Sequence, residues 1–248
     1  MKILPCWTVL ALLCGGLPGP GGAALAAGDP LEETAPGRLP AAVAADAAAL
    51  PSWENGAWLL GGALLTVGVH QFEDAEGAAA ALHEGIWGGL SDAGNVWGDL
   101  RFQAPLALGT WGVGHWAGSG ETAALGCDLT RGLLLTYTAT SILKVACNRT
   151  RPNGEDYSFP SGHTAAAFTT AGVVTTRYGG WAGGVTLGLG LMTAMGRMGD
   201  MKHYASDVAA GATIGWIIGR TVARRTAVRD TAWQVVPWGR GLAMVRRF

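Results

Sequence analysis

The sequence has little charge and no excess of one sign. Asp, Glu, Lys and Arg make up 14% of the 248 residues, and the formal net charge is −1. A basic field that would attract nucleic acid is therefore absent. Apolar residues make up 49% and the mean hydropathy is +0.26, a balance between that of soluble and of membrane proteins. The length fits one sizeable domain or two small ones.

Cysteine is also scarce, and two of the four cysteines lie in the first 14 residues. Residues 1–26 contain a lysine, then an apolar run, then small residues that end in the tripeptide 24–26. This is the layout of a secretory signal peptide. We predict a signal peptide over residues 1–26 and export to the cell envelope, with a retained anchor as the alternative. The mature chain keeps Cys127 and Cys147, which can pair as a disulfide or remain buried thiols.

Strand alternation is absent until the last eighteen residues, and helical patterns follow one another before them. Residues 27–55 are predicted to be a linker or lead-in with a short helix over 41–50. The sequence predicts further helices over 57–70, 75–88, 103–117, 122–147, 163–178, 180–197 and 206–225. We expect an all-α domain over 56–228, a bundle of about six core helices, followed by a tail over 229–248 that can form a hairpin.

The longest uncharged runs fall just short of the length that a membrane crossing needs. A spanning helix needs about 20 mostly apolar residues. The uncharged runs 55–72, 102–120 and 178–196 have 18, 19 and 19 residues. The 40 glycines weaken helices in water but are common where membrane helices pack closely. We predict an envelope protein with membrane contact and keep a soluble helical bundle as the alternative.

Two polar clusters, at residues 144–152 and 159–163, interrupt this helical pattern. In KVACNRTRP, Lys144 and Arg151 lie seven residues apart, on one helix face close to its end. In FPSGH, Ser161 can cap a helix whose N-terminus attracts anions. Gly162 allows an anion to approach the backbone, and His163 adds a proton donor.

A third cluster, GRMGDMKHYASD, contains a histidine and a carboxylate at helical spacing. His203 and Asp207 lie four residues apart, so the carboxylate can hold the imidazole. Together with His163 they are also acceptable zinc ligands. Three nearby cations would repel a divalent ion but would surround a phosphate. These cations are Lys144, Arg151 and Arg197.

The three clusters together resemble the signature of the type 2 phosphatidic acid phosphatase family, which is shared with bacterial acid phosphatases and vanadium haloperoxidases. The matching residues are Lys144-x6-Arg151-Pro152, Pro160-Ser161-Gly162-His163 and Arg197-x5-His203-x3-Asp207. Two features depart from the family. Gly196 stands where a serine is usual, and the loop 153–159 is short, which leaves the pocket open to bulky substrates.

The resemblance implies a role for each site residue. His203 would be the nucleophile, Asp207 would fix its tautomer, and His163 would be the general acid. The phosphate oxygens would be held by Lys144, Arg151, Ser161, Gly162 and Arg197. The reaction would pass through a phosphohistidine and require neither a metal nor another cofactor. Arg149, close in sequence to these residues, is predicted to be solvated, with an extra contact to phosphate as the alternative.

The family and the apolar composition favour a phosphatase for lipid substrates. The candidates are phosphatidate, phosphatidylglycerol phosphate and a polyprenyl diphosphate, with the active site on the non-cytoplasmic side. Three alternatives stay open: a soluble periplasmic acid phosphatase, a vanadium haloperoxidase with vanadate as cofactor, and a non-catalytic lipid-binding envelope protein. In the phosphatase, vanadate would act only as an inhibitor.

Overall fold

The structure is a computed structural model that describes residues 29–231, 234–238 and 241–245. The predicted signal peptide lies outside these residues. The helices are α1 Pro30–Glu33, α2 Leu39–Ala49, α3 Trp53–His70, α4 Ala75–His83, α5 Ile86–Gly98, α6 Leu100–Trp116, α7 Gly120–Cys147, α8 Gly162–Tyr178, α9 Gly180–Gly199 and α10 Ala205–Thr231. A 3₁₀ turn, Pro36–Arg38, separates α1 from α2. Within the described part of the chain, no helix combines the length and the apolarity that a membrane crossing requires.

The all-α prediction is confirmed, and most predicted helices differ from the observed ones by a few residues at their ends. The short α1 and the longer α5 were not predicted as separate helices. The sequence pattern merged the start of α5 into a single helix over 75–88, whereas the chain turns between α4 and α5. Gly85 makes this turn at a φ of 57°, a conformation that glycine adopts without strain.

The lead-in is more ordered than the linker that the sequence predicted. The Nε1 of Trp111 in α6 donates a hydrogen bond to the carbonyl oxygen of Thr34 at 2.9 Å. Asp46 of α2 is buried, with Oδ2 3.3 Å from the Nε of Arg131 in α7. Because these contacts fix both ends of the segment, residues 29–49 form part of the folded domain.

The tail contains two antiparallel strands, β1 Gln234–Trp238 and β2 Gly241–Val245. The predicted hairpin had its turn at residues 237–240. In the structure Pro237 pairs with Leu242, and Trp238 pairs with Gly241, so β1 continues through the first half of that turn.

A free thiol in α7 excludes the disulfide that the sequence allows between the two cysteines. Cys127 is buried and unpaired among the described residues. A disulfide between Cys127 and Cys147 is therefore not formed.

The core is built around α8 and α10, which lie in backbone contact. Three glycines of α10 recur every four residues and so share one helix face. A Cβ added at Gly215 would lie 2.1 Å from the carbonyl oxygen of Ala165 in α8. Additions at Gly211 and Gly219 would lie 2.4 and 2.2 Å from the carbonyl oxygens of Ser161, which caps α8, and of Thr169. α7 and α9 pack on α8, and α3 packs on α10.

We expect Gly215→Ala to lower the free energy of unfolding by about 1–3 kcal/mol. Alanine is a better helix former than glycine by about 1 kcal/mol. The new methyl group would, however, clash with backbone atoms of a packed helix, which cannot move away as a flexible side chain can. Thermal and denaturant unfolding in detergent measure the change. Gly188→Ala in α9 is the matched control, because a Cβ there meets nothing within 4 Å. Equal stability of the two variants would contradict the close contact.

Candidate active site

The helix ends bring the three sequence clusters to one end of the bundle. α7 and α9 end there, whereas α8 and α10 begin there. The backbone N–H of Ser161 donates to the carbonyl oxygen of Asp207 at 3.0 Å, which joins the second cluster to the third. The clusters are far apart in sequence, so their meeting is a consequence of the antiparallel packing of α7 and α9 on α8.

A pocket of about 350 Å³ opens at this end of the bundle. Six of the eight predicted site residues line it: Lys144, Arg151, Gly162, His163, Arg197 and His203. The other two, Ser161 and Asp207, lie behind the pocket wall and are fully buried.

The FPSGH cluster starts α8, as the sequence predicted. The Oγ of Ser161 accepts a hydrogen bond from the backbone N–H of Thr164 at 3.4 Å and lies 2.9 Å from the Thr164 hydroxyl. This side chain is therefore engaged in capping the helix. Gly162 and His163, the first helical residues, face the pocket.

Three cations lie around the pocket with part of their hydrogen-bonding capacity unused. Lys144 Nζ donates to the carbonyl oxygen of Tyr157 at 2.7 Å, and Arg151 Nη1 lies 2.5 Å from Glu155 Oε2. Within residues 29–231, the Nε atoms of Arg151 and Arg197 are buried and have no hydrogen-bond partner. Unpaired buried donors are costly, so these guanidinium groups favour an anion beside them.

The same crowding of positive charge acts on Lys144. Burial and the charges of Arg151 and Arg197 lower the pKa of Lys144 to about 8. Burial also lowers the pKa of Arg197. Because a phosphate would offset both effects, the pocket holds its cations most stably when an anion is bound.

His203 is buried beside a carboxylate. Its Nδ1 lies 3.7 Å from Asp207 Oδ2, longer than a hydrogen bond, and its backbone N–H donates to the carbonyl oxygen of Arg197 at 3.2 Å. Burial lowers the pKa of His203 to about 4. The imidazole is therefore neutral at pH 7, the state in which it can act as a nucleophile.

Asp207 accepts hydrogen bonds on both carboxylate oxygens. Oδ1 accepts from Arg149 Nη1 at 2.8 Å, and Oδ2 accepts from Ser158 Oγ at 2.5 Å and from the backbone N–H of Tyr204 at 2.9 Å. Burial raises the pKa of Asp207, but the imidazole of His203 and the charge of Arg149 outweigh it, and the pKa lies below its ordinary value. Asp207 is thus a carboxylate at neutral pH.

His163 faces an acidic residue that the sequence analysis did not single out. Its Nε2 lies 3.9 Å from Oδ2 of Asp99, the residue that caps α6. Burial, followed by the charge of Arg197, lowers the pKa of His163 to about 4. The hydrogen bond from Arg101 lowers the pKa of Asp99 to about 2. Asp99 belongs to no motif, so only the fold shows that it lies in the pocket.

The structure corrects the prediction that Arg149 is solvated. Its side chain is 24% exposed, and its guanidinium bonds to Asp207 and, through Nη2, to Glu73 Oε2 at 2.8 Å. The same group lies over the ring of Tyr204, 4.0 Å from its centroid. Arg149 therefore lies behind the pocket, paired with two carboxylates.

The glycine in place of the usual serine has a packing reason. A Cβ at Gly196 would lie 2.4 Å from the carbonyl oxygen of Ser91 in α5. The Oδ1 of Asn95, also in α5, accepts from Arg197 Nη1 at 3.0 Å. The close approach of α5 thus excludes a side chain at 196 and supplies a polar partner for Arg197.

The zinc alternative has no ligand geometry to support it. In the part of the chain that the structure describes, no three His, Cys, Asp or Glu side chains are placed to hold a metal ion. His163, His203 and Asp207 do not form such a group.

Comparison with known families identifies the segment that carries the three clusters. Residues 125–230 match the model of the PAP2 superfamily. This segment belongs to the PAP2 superfamily. The resemblance to type 2 phosphatidic acid phosphatases is thereby confirmed, whereas Asp99 and Glu73 lie outside the PAP2 segment.

Two known proteins are similar to this chain. A lipid A 1-phosphatase of Porphyromonas gingivalis is 34% identical over 92 residues, which cover 36% of this chain and 21% of that protein. The match thus spans about a fifth of the relative's length. The crystal structure of a transmembrane PAP2-type phosphatidylglycerolphosphate phosphatase from Bacillus subtilis superposes with a TM-score of 0.58 at 16% identity. That match covers 71% of this chain and 97% of the other, and it shows that the two share a fold.

Proposed function

We propose that the chain is a metal-independent phosphatase that hydrolyses a phosphate monoester or diphosphate of a lipid through a phosphohistidine intermediate. The observation that carries this proposal is the pocket itself: a buried, neutral His203 faces three cations, with a carboxylate behind it. Cations positioned before the reaction stabilise the charge that develops on a phosphoryl group.

In the proposed first step, His203 attacks phosphorus. Because Nδ1 faces Asp207, the attacking atom is Nε2, and a P–N bond forms as the bond from phosphorus to the leaving oxygen breaks. His163 donates a proton to that oxygen. The negative charge of a bound phosphate raises the pKa of His163, so substrate binding prepares it as an acid.

In the second step, water attacks phosphorus and the P–N bond breaks. His163, now neutral, accepts the proton of the water, and inorganic phosphate leaves. Asp207 stabilises the positive imidazole of His203 in both steps. Neither step needs a metal ion or an oxidant.

A lipid substrate is supported by the pocket and by the exposed surface. Below the cations the pocket continues along α7, past Tyr137 to Leu133, where an apolar leaving group can lie. Large aromatic side chains are exposed at both ends of the bundle: Trp53, Trp116 and Trp181 at one end and Phe72 at the other. Side chains of this kind are typical of membrane interfaces. The two similar proteins are also named as lipid phosphatases.

Phosphate release by the detergent-extracted full chain, in the presence of a chelator, tests the proposal. The substrates are a polyprenyl diphosphate, phosphatidate and a soluble aryl phosphate. We expect chelator-resistant release, inhibited by vanadate, with a lipid as the preferred substrate. Preference for the aryl phosphate would favour a general acid phosphatase, and halide oxidation after loading with vanadate would favour a haloperoxidase. Absence of phosphate release from every one of the three substrates would overturn the assignment.

A further inference from the structure

We propose that Glu73 and Arg149 are positioning residues that hold Asp207 in place and keep its negative charge available to His203. The inference rests on the proposed function, because it assigns these residues to the same reaction. Glu73 follows α3 and lies outside the segment that matches the PAP2 model.

Arg149 connects the carboxylate of Asp207 to the start of α10. Its Nη1 donates to Asp207 Oδ1 at 2.8 Å and to Ser206 Oγ at 2.7 Å, while its guanidinium lies over the ring of Tyr204. It does not line the pocket. Arg149 therefore acts on the substrate only through Asp207.

Glu73 holds Arg149 and α10 at the same time. Its Oε2 accepts from Arg149 Nη2 at 2.8 Å and lies 2.7 Å from His70 Nδ1. Its Oε1 accepts at 2.9 Å from the backbone N–H of Ser206, which has no partner within its own helix turn. The Glu73 side chain is 9% exposed, so these charge-assisted bonds are shielded from solvent.

The charge balance explains why a second carboxylate is needed. Arg149 alone would cancel the charge of Asp207, whereas Glu73, Arg149 and Asp207 together carry a net charge of −1. Most of the other charged groups around His203 are positive: Lys144 from α7, Arg197 from α9, and Arg151 and Lys202 from loops. Glu155 pairs with Arg151 and Lys202, and Asp200 pairs with Arg197. His163 from α8 lies beside Asp99, and His70, which does not line the pocket, contacts Glu73. Glu73 thus preserves the negative charge that the imidazolium of the reaction requires.

The test is the pH dependence of phosphate release by Glu73→Gln, Arg149→Met and the double variant. The acid limb of kcat/KM reports protonation of His203. Loss of a negative charge should move that limb to lower pH, and loss of the positive charge should move it to higher pH, each by about half a unit or more. The acid limb of the double variant should lie close to that of the wild type. Because neither residue touches phosphate, kcat should fall by about 10- to 100-fold with little change in KM.

Two further variants separate positioning from general damage. Arg149→Lys keeps the charge but loses the forked geometry, so its acid limb should stay in place while kcat falls. Glu54→Gln removes a carboxylate that pairs with Arg220 at the other end of α3, and its profile should match the wild type. If Arg149→Met does not fold, Glu73→Gln and Arg149→Lys carry the test.

The outcomes distinguish this inference from the function on which it rests. Wild-type release with unmoved acid limbs in Glu73→Gln and Arg149→Met, or with limbs that move in the same direction, overturns the inference alone. Absence of release by the wild type overturns the proposed function and the inference together.

Discussion

His203→Ala should reduce the rate of phosphate release by about 10⁴- to 10⁶-fold, as the loss of other covalent nucleophiles does. The physical reason is that no neighbouring side chain can replace it. Lys144, Arg151 and Arg197 carry positive charge, and His163 also lines the pocket but has the role of proton donor. Binding of phosphate should change little, because the cations that hold it are intact.

The measurement combines release of labelled phosphate with trapping of the intermediate. Wild-type chain quenched in alkali should retain label on histidine, since phosphohistidine is stable to base and labile to acid, and His203→Ala should retain none. His115→Gln is the matched control, because His115 lies at the far end of α6. Comparable rates in His203→Ala and the wild type would exclude His203 as the nucleophile and would contradict the proposed mechanism.

Asp207→Asn should reduce kcat by about 10³- to 10⁴-fold, by analogy with the loss of the orienting carboxylate in a serine-protease triad. The amide has the shape of the carboxylate but not its charge. It cannot stabilise a positive imidazole, and its NH₂ group would face either the Nδ1–H of His203 or the Nη1 of Arg149, both donors. The partly buried Arg149 also loses one of its two carboxylate partners.

Asp207→Asn should also lower stability, so the loss of activity must be separated from unfolding. Removing one partner of a buried ion pair costs about 3–5 kcal/mol. The ratio of kcat to the folded fraction, measured from thermal unfolding, gives the loss per folded molecule. Ser158→Ala, which removes one hydrogen bond from Asp207 and no charge, is the comparison and should lose far less activity. Equal kcat per folded molecule in Asp207→Asn and the wild type would show that the charge of Asp207 has no part in the reaction.

Much of the fold could be predicted because hydrophobic and small residues recur at helical spacing along most of the chain. The start of α8 was found from Ser161, a residue type that caps helices. α5 was missed because the break at Gly85 interrupts a stretch that is apolar on both sides. The sequence predicts the helix α2 but not the packing of residues 29–49 on the domain, because the burial of Asp46 depends on a partner in α7.

The site could be predicted where residues stand at fixed spacing, and not where they are brought in from elsewhere in the chain. His203 and Asp207 are one helical turn apart, so their pairing is local. Asp99 and Glu73 reach the site from helix ends far upstream, and nothing in their sequence neighbourhood marks them. The sequence predicts a solvated Arg149 because its two carboxylate partners come close only when the chain is folded.

The glycine face of α10 has a consequence for how the proton donor and the nucleophile are held apart. His163 is the second residue of α8, and α10 begins two residues after His203. Since the two helices touch through main-chain atoms, and Ser161 is bonded to Asp207 through the backbone, their separation is set by peptide geometry. A substitution elsewhere in the interior can therefore change the packing of side chains without altering the distance between these two imidazoles. The main chain thus fixes the separation of the two reacting histidines, and the surrounding side chains can differ without changing it.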